Sequence, residues 1–210
     1  MRWRNLLFDF DGTLVDSSSL HAEAYHRVLD IMGRGERQKF DYTHLMGLTT
    51  RAAFARLGIR DPRELDACVA RKQWLYREAV SAGGLKTYEG ARDLLRASKE
   101  GGACNFLVTS GSADSINRAL EVVGIRELFT GFITAGDVAA SKPAPDPYLA
   151  CLARYKLIPG DSIVIEDAPS GIVSARAAGL KVAGVHNTEV AQMADWYFPT
   201  LAELSIALEL

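Results

Sequence analysis

The sequence predicts an α/β fold, a parallel sheet in which the first crossover is replaced by a long helical insertion. Short apolar runs ending in small or acidic residues alternate with amphipathic stretches, the pattern of parallel strands joined by crossover helices. Between the first two such runs lie roughly a hundred residues, where a crossover needs about a dozen. Inside that excess, strand alternation is missing and helical spacing prevails.

Taken in order, the first strand runs from Asn5 to Asp9. The insertion follows, read as helices at Ser19 to Met32, Tyr42 to Leu57 and Pro62 to Ala82. The last of these opens with Asp61, Pro62, Arg63 and Glu64, which resembles a capping box with Asp in the cap position, and it stops before Gly83 and Gly84. Linkers near Val15 and near Leu85 divide the chain, so residues 1–15 and 85–210 are expected to form the α/β core and residues 16–84 a helical cap. Further strands are expected at Cys104 to Thr109, Gly131 to Thr134, Ser162 to Glu166 and Lys181 to Val185. Helices at Ser112 to Val123 and Ser170 to Ala178 each start at Ser and stop at Gly. Another has Asp146 as N-cap and Pro147 in its first turn.

Bulk properties narrow the function. With 48% hydrophobic and 24% charged residues, the 210-residue chain has the composition of an ordinary globular protein. A net charge of -2 and the lack of a basic run argue against nucleic-acid binding. Three cysteines, Cys68, Cys104 and Cys151, show no CxxC spacing and read as buried free thiols. Asp9 and Asp11 break the N-terminal apolar stretch, so neither a signal peptide nor a membrane span is expected and the location read is cytoplasmic.

The chemistry concentrates at predicted strand ends. In LLFDFDGTLVDS, an apolar strand delivers Asp9 and Asp11 to its C-terminal end, where Gly12 breaks it. Alternation puts both side chains on one side unless the bend turns one away, and two such carboxylates repel unless a cation or shared proton intervenes. Asp9 alone is compatible with a solvated strand end. A second strand, SIVIED, also ends in acids, Glu166 and Asp167, and ligands of open α/β sheets bind beyond such ends. Up to four carboxylates then meet, and oxygen-only ligation suits Mg2+. Thr109, Ser110 and Gly111 end a third strand ahead of a helix, offering a hydroxyl and free N–H groups to an anion. Lys142 lies in a loop stiffened by Pro143 and Pro145.

The order DFDGT, VTSGS, SKPAPD and VIED resembles the haloacid dehalogenase superfamily, and more narrowly the branch with a helical cap inserted after the first strand. That branch contains β-phosphoglucomutase and many small-metabolite phosphatases. The resemblance runs from Leu6 to about Val185 and implies a Rossmann-like doubly wound parallel sheet. It implies Asp9 as nucleophile and Asp11 as general acid and base. Thr109, with the Ser110 and Gly111 backbone, would bind the phosphoryl group, and Lys142 would bridge it to Asp9. Magnesium would be held by Asp9, the Asp11 carbonyl and Asp167, with Glu166 ligating directly or through water. His21 and Arg51 stand as candidate cap contacts, Arg51 equally readable as an exposed helix arginine and His21 more readily as a packing or solvated residue.

The expected activity is magnesium-dependent hydrolysis of a small phosphorylated metabolite, a sugar phosphate or phosphoglycolate. A β-phosphoglucomutase-like mutase is second, favoured by VAASKPAPD but lacking a second-phosphate site, since Gly111, Ser112, Ala113 and Asp114 offer no cation. A catalytically idle sensor of phosphometabolites is third. Oligomeric state has no signal.

Overall fold

The computed structural model describes residues 3–34, 40–46 and 48–209. The first apolar run forms strand β1 (Asn5–Phe8), whose leucines and phenylalanine are fully buried. Four more of the expected strands form: β4 (Cys104–Val108), β5 (Gly131–Ile133), β6 (Ser162–Glu166) and β7 (Lys181–Val185). Together with β8 (Trp196–Phe198) they make a parallel sheet of order β5-β4-β1-β6-β7-β8. Strand β1 is central, with Phe8 level with Leu107 on one side and Ile165 on the other. The chain winds outward from β1 through β4 to β5, then returns to β6 on the opposite side. That reversal is the doubly wound order, and it opens a crevice at the C-terminal end of β1.

Alternation along the strands loads both faces. Leu6, Phe8, Leu107, Ile163 and Ile165 face helices α4 (Ala91–Glu100), α5 (Ala113–Val123) and α8 (Leu201–Ala207) through Leu95, Leu120 and Leu204. Leu7, Phe106, Val108 and Val164 face α6 (Asp146–Tyr155) and α7 (Pro169–Ala177) through Tyr148 and Ile172. Fully burying each such Leu, Ile or Phe stabilises the fold by about 1.5–3 kcal/mol.

The insertion leaves and rejoins through two short strands, β2 (Val15–Asp16) and β3 (Lys86–Thr87), paired antiparallel with Val15 opposite Thr87. Between them stand helices α1 (Ser18–Ile31), α2 (Thr50–Arg56) and α3 (Pro62–Ala79), followed by a π-type turn over Val80–Gly84. Asp61 caps α3 by accepting from the N–H groups of Arg63 (3.0 Å) and Glu64 (2.9 Å). The Glu64 carboxylate faces Arg34 (3.0 Å) rather than closing a reciprocal box.

Several expectations shift. The stretch Tyr42 to Leu57 is not one helix: a 3-10 turn covers Tyr42–Leu45, and Thr49 turns extended (ψ 153°) and caps α2 by accepting from Ala52 N–H (3.2 Å). Gly47 lies outside the described residues. Helix α7 begins at Pro169, with Ala168 rather than Ser170 at the boundary, because a proline in the first turn leaves no N–H to satisfy. In α6, Pro145 takes the cap position and Asp146 is the first helical residue. The three thiols are free; Cys68 and Cys151 are buried, Cys104 partly so. No helix among the described residues is long and apolar enough to cross a membrane.

Candidate active site

Four strand ends converge on the crevice. Asp9 follows β1 directly, its N–H held by Ile165 O (3.0 Å) of the neighbouring strand, which aims its carboxylate beyond the sheet edge. Lys142 reaches the same point from a loop whose Lys142–Pro143 peptide is cis. Its ammonium donates to Asp9 Oδ1 (2.7 Å), Glu166 Oε1 (2.5 Å) and Val108 O (3.0 Å), and its side chain is wholly buried. Burial opposes that charge, but Asp9 and Glu166 overcome it and hold the amine well above its ordinary range.

Glu166, at the end of β6, spends both oxygens on the protein. Oε1 accepts from Lys142 and from Tyr148 Oη (3.1 Å); Oε2 accepts from the N–H groups of Asp167 (3.1 Å) and Ala168 (3.2 Å). Room for it comes from Gly171, where a Cβ would lie 1.7 Å from Oε1. Asp167 is differently placed: Oδ1 accepts from Thr13 Oγ1 (2.9 Å), while a Cβ on Gly12 would sit 2.1 Å from Oδ2. Gly12 also has φ +90°, a backbone closed to most side chains, so this glycine is required twice over.

Asp9, Glu166 and Asp167 each present an oxygen within 4.8 Å of the others, all buried. Burial, with the charge of Glu166, drives Asp9 up to about 8 against the pull of Lys142. Burial, then Asp9 and Glu166, likewise lift Asp167 well above the carboxylate range. Three buried carboxyls facing one ammonium leave an excess of negative charge, and a donor set made only of oxygen fits a hard divalent cation.

The bend at Gly12 separates the fourth acid. Instead of four carboxylates in one cluster, Asp11 turns its side chain to the insertion, accepting from Ser17 Oγ (2.6 Å) and bonding His21 Nε2 (2.9 Å). His21 Nδ1 in turn meets Lys72 Nζ (2.5 Å), a buried lysine on α3 lying against the rings of Tyr25 and Tyr76. Burial works to raise Asp11, but His21, Ser17 and Lys72 prevail and hold it down to about 2. Burial lowers Lys72 to about 8, offset in part by Asp11.

A narrow cleft of about 50 Å³ lies between the sheet edge and the insertion, lined by Asp9, Asp11, Thr109, Ser110 and Gly111 from below and by His21, Tyr42 and Lys72 among others from above. Thr109 is buried at its floor and accepts from Gly111 N–H (3.0 Å). The structure therefore brings Asp9, Asp11, Thr109, Ser110, Gly111, Lys142, Glu166, Asp167 and His21 together. Arg51 stands apart: it pairs with Asp66 on the surface and is half-exposed. Lys72, Tyr42 and Tyr76 escaped the sequence reading; the signal present was a lone lysine on the mostly apolar face of a helix, 51 residues from its His21 partner.

A doubly wound sheet with a lysine-paired carboxylate at its switch point, covered by an inserted helical segment, defines an α/β enzyme. The chain belongs to the haloacid dehalogenase-like hydrolase family, which matches residues 6–185. It is 32% identical over 208 residues to the validoxylamine A 7'-phosphate phosphatase of Streptomyces hygroscopicus subsp. limoneus, covering 94% of each chain. It is 31% identical over 189 residues to the fructose-1-phosphate phosphatase of Escherichia coli K12, covering 88% of this chain and 97% of the other. In fold it matches β-phosphoglucomutase from Clostridium difficile with a TM-score of 0.87 at 22% identity, over 99% of this chain and 95% of that one. The resemblance read from the four motifs is borne out.

Proposed function

We propose that this protein hydrolyses small phosphate monoesters of the sugar-phosphate or phosphoglycolate type, with Mg2+, through an aspartyl-phosphate on Asp9. It is an enzyme of the phosphoric monoester hydrolase kind, a reading supported by relatives named as phosphatases over nearly the whole chain. The observation that carries the mechanism is the ion pair between Asp9 and Lys142 at the foot of a cleft that Asp11 and Thr109 also line.

Asp9 is the nucleophile because its carboxylate stands at the open edge of the sheet with an ammonium 2.7 Å away to offset charge as a phosphate dianion approaches. The Thr109 hydroxyl and the Ser110 and Gly111 backbone hold the phosphoryl oxygens, the Gly111 N–H exchanging its bond to Thr109 Oγ1 for one to the substrate. Glu166, fully occupied by protein donors, orients Lys142. Asp9, Asp167 and the Asp11 carbonyl, with Glu166 behind them, would hold Mg2+, which when bound would supply positive charge opposite the phosphoryl group. Asp11, held near 2 by His21, Ser17 and Lys72, is a ready base for the water that cleaves the aspartyl-phosphate. For the first half-reaction it takes up a proton, which the dianionic substrate beside it favours by like-charge repulsion, and passes it to the leaving oxygen.

In this reading residues 1–15 and 85–210 are the catalytic core and residues 16–84 a cap. A cleft of about 50 Å³ is far smaller than a sugar-sized ligand site, so α1–α3 must swing on the β2–β3 pair to admit substrate. Water exclusion by such a lid suits small soluble esters. Arg51, engaged by Asp66 outside the cleft, leaves Lys72 as the only Lys or Arg among the described residues lining it. That is one cation where a bisphosphate intermediate asks for a second phosphate site, which supports hydrolysis over the mutase reading. The test is phosphate release from a panel of phosphorylated metabolites with and without Mg2+. Release from several small esters only with Mg2+ supports the proposal; conversion of glucose 1-phosphate without release overturns it in favour of the mutase.

A further inference from the structure

Where β7 ends, His186 departs from extended geometry with φ 60°, a left-handed backbone uncommon outside glycine and asparagine. The turn is pinned by His186 N–H to Phe198 O (3.2 Å) and Tyr197 Oη to His186 O (3.1 Å). Its effect is to send two consecutive side chains toward the acidic edge. His186 Nε2 lies 3.2 Å from Thr13 O, and Asn187 Nδ2 donates to Asp167 O at 3.0 Å. Thr13 is the residue whose hydroxyl bonds the Asp167 carboxylate, so the two contacts grip both sides of one hydrogen bond. The imidazole is fixed from behind by stacking on Tyr88, with centroids 4.1 Å apart. Tyr88 directly follows β3, and its own N–H donates to Leu14 O (3.0 Å).

We propose that His186 and Asn187 are positioning residues, a two-residue clamp that fixes the Asp9–Thr13 loop against Asp167 and so sets the spacing of the cation-binding carboxylates. A neutral imidazole donates from one nitrogen, and the clamp assigns that proton to Nε2, facing Thr13 O. Asn187 contributes the second donor and also closes the turn, accepting from Glu189 N–H (3.0 Å). The left-handed backbone is the geometric requirement: in an extended strand, adjacent side chains point to opposite faces and cannot serve one edge. Through Tyr88, the same clamp touches the returning strand of the insertion's hinge.

The proposal rests on the metal and phosphate roles given to the acidic edge, and the test separates the two. Mn2+ is titrated into purified wild-type enzyme and into His186→Gly and Asn187→Ala, with free Mn2+ read by electron paramagnetic resonance, alongside kcat and KM for p-nitrophenyl phosphate. Glycine keeps the φ +60° backbone open while removing the ring. Each variant is expected to weaken Mn2+ binding or kcat by about 10–100-fold, the range seen when groups that orient metal ligands are removed, with KM changing less. Added imidazole is expected to restore kcat in His186→Gly, entering the cavity of about 320 Å³ that His186 shares with Tyr88 and Thr200. Failure of the wild type to bind Mn2+ sinks the metal assignment itself. Wild-type binding with folded variants unchanged within twofold overturns the clamp, and if His186→Gly does not fold, an unchanged Asn187→Ala overturns it alone.

Discussion

Asp9 and Asp11 are two residues apart in the chain and meet opposite electrostatic fates. Asp9 sits with Glu166 and Asp167 and is pushed up to about 8; Asp11 sits with His21, Ser17 and Lys72 and is held near 2. Separation of two carboxyls by environment is the signature of divided catalytic roles. Asp9→Asn is expected to lower kcat by at least ~10⁴-fold, as for nucleophiles in general. The same variant should melt higher than wild type in metal-free buffer above pH 8, where Asp9 is charged and an amide removes one buried charge from a repelling set. A folded Asp9→Asn retaining more than a hundredth of wild-type turnover contradicts the assignment. Lys72, lowered to about 8, loses its proton within reach of ordinary assays. The plot of log kcat/KM against pH should therefore fall above about pH 8, and Lys72→Met should be slower throughout and lack that limb. At this scale the sequence was legible where residue types recur at strand ends. It was silent on Lys72 because its role depends on the packing of α3 against α1, which no local spacing encodes.

Helix boundaries were readable where chemistry is local and misplaced where it is not. Asp61 announced the start of α3 through its own cap bonds. Its replacement, Asp61→Ala, is expected to destabilise the fold by about 1 kcal/mol, a drop in melting temperature of about 2–4 °C. Thermal unfolding followed by circular dichroism checks this, and no drop at all would remove the cap from the account. By contrast, Tyr42 to Leu57 carries enough apolar spacing to read as one helix, yet Thr49 caps α2 and interrupts it. The break places Tyr42 against the His21 ring, 5.9 Å between centroids, and Thr50 in the cleft, a tertiary advantage invisible in periodicity. Strand β8 went unread because Trp196 to Phe198 is three residues long and partly exposed, and its partner is identified only once β7 is in place.

Across the whole molecule, fold class and the meeting of the strand-end residues were legible together because the doubly wound order forces every strand end to one edge. Apolar runs ending in Asp9, Thr109 and Glu166 therefore had to meet. The excess negative charge at that edge links stability to pH and to metal. Asp9 holds its proton in the folded chain up to about 8 but releases it from an ordinary 3.8 when unfolded. Metal-free stability from this group is thus complete below about pH 4 and lost as pH rises toward 8. Asp11 runs the other way, contributing above its ordinary value and losing that contribution only as pH falls toward 2. Melting temperature in EDTA should decline from pH 5 to pH 8, and Mg2+ at a hundred times its dissociation constant should raise it at pH 8 by about 5–10 °C. A flat profile with no Mg2+ response would remove the cation from the site. The most direct measurement is to quench the enzyme in acid during turnover with Mg2+, reduce with borohydride and map peptides by mass spectrometry. Conversion of Asp9 to homoserine, absent without substrate, is the predicted result. An unmodified Asp9 while phosphate is being released, or reduction at another carboxylate, would contradict the account.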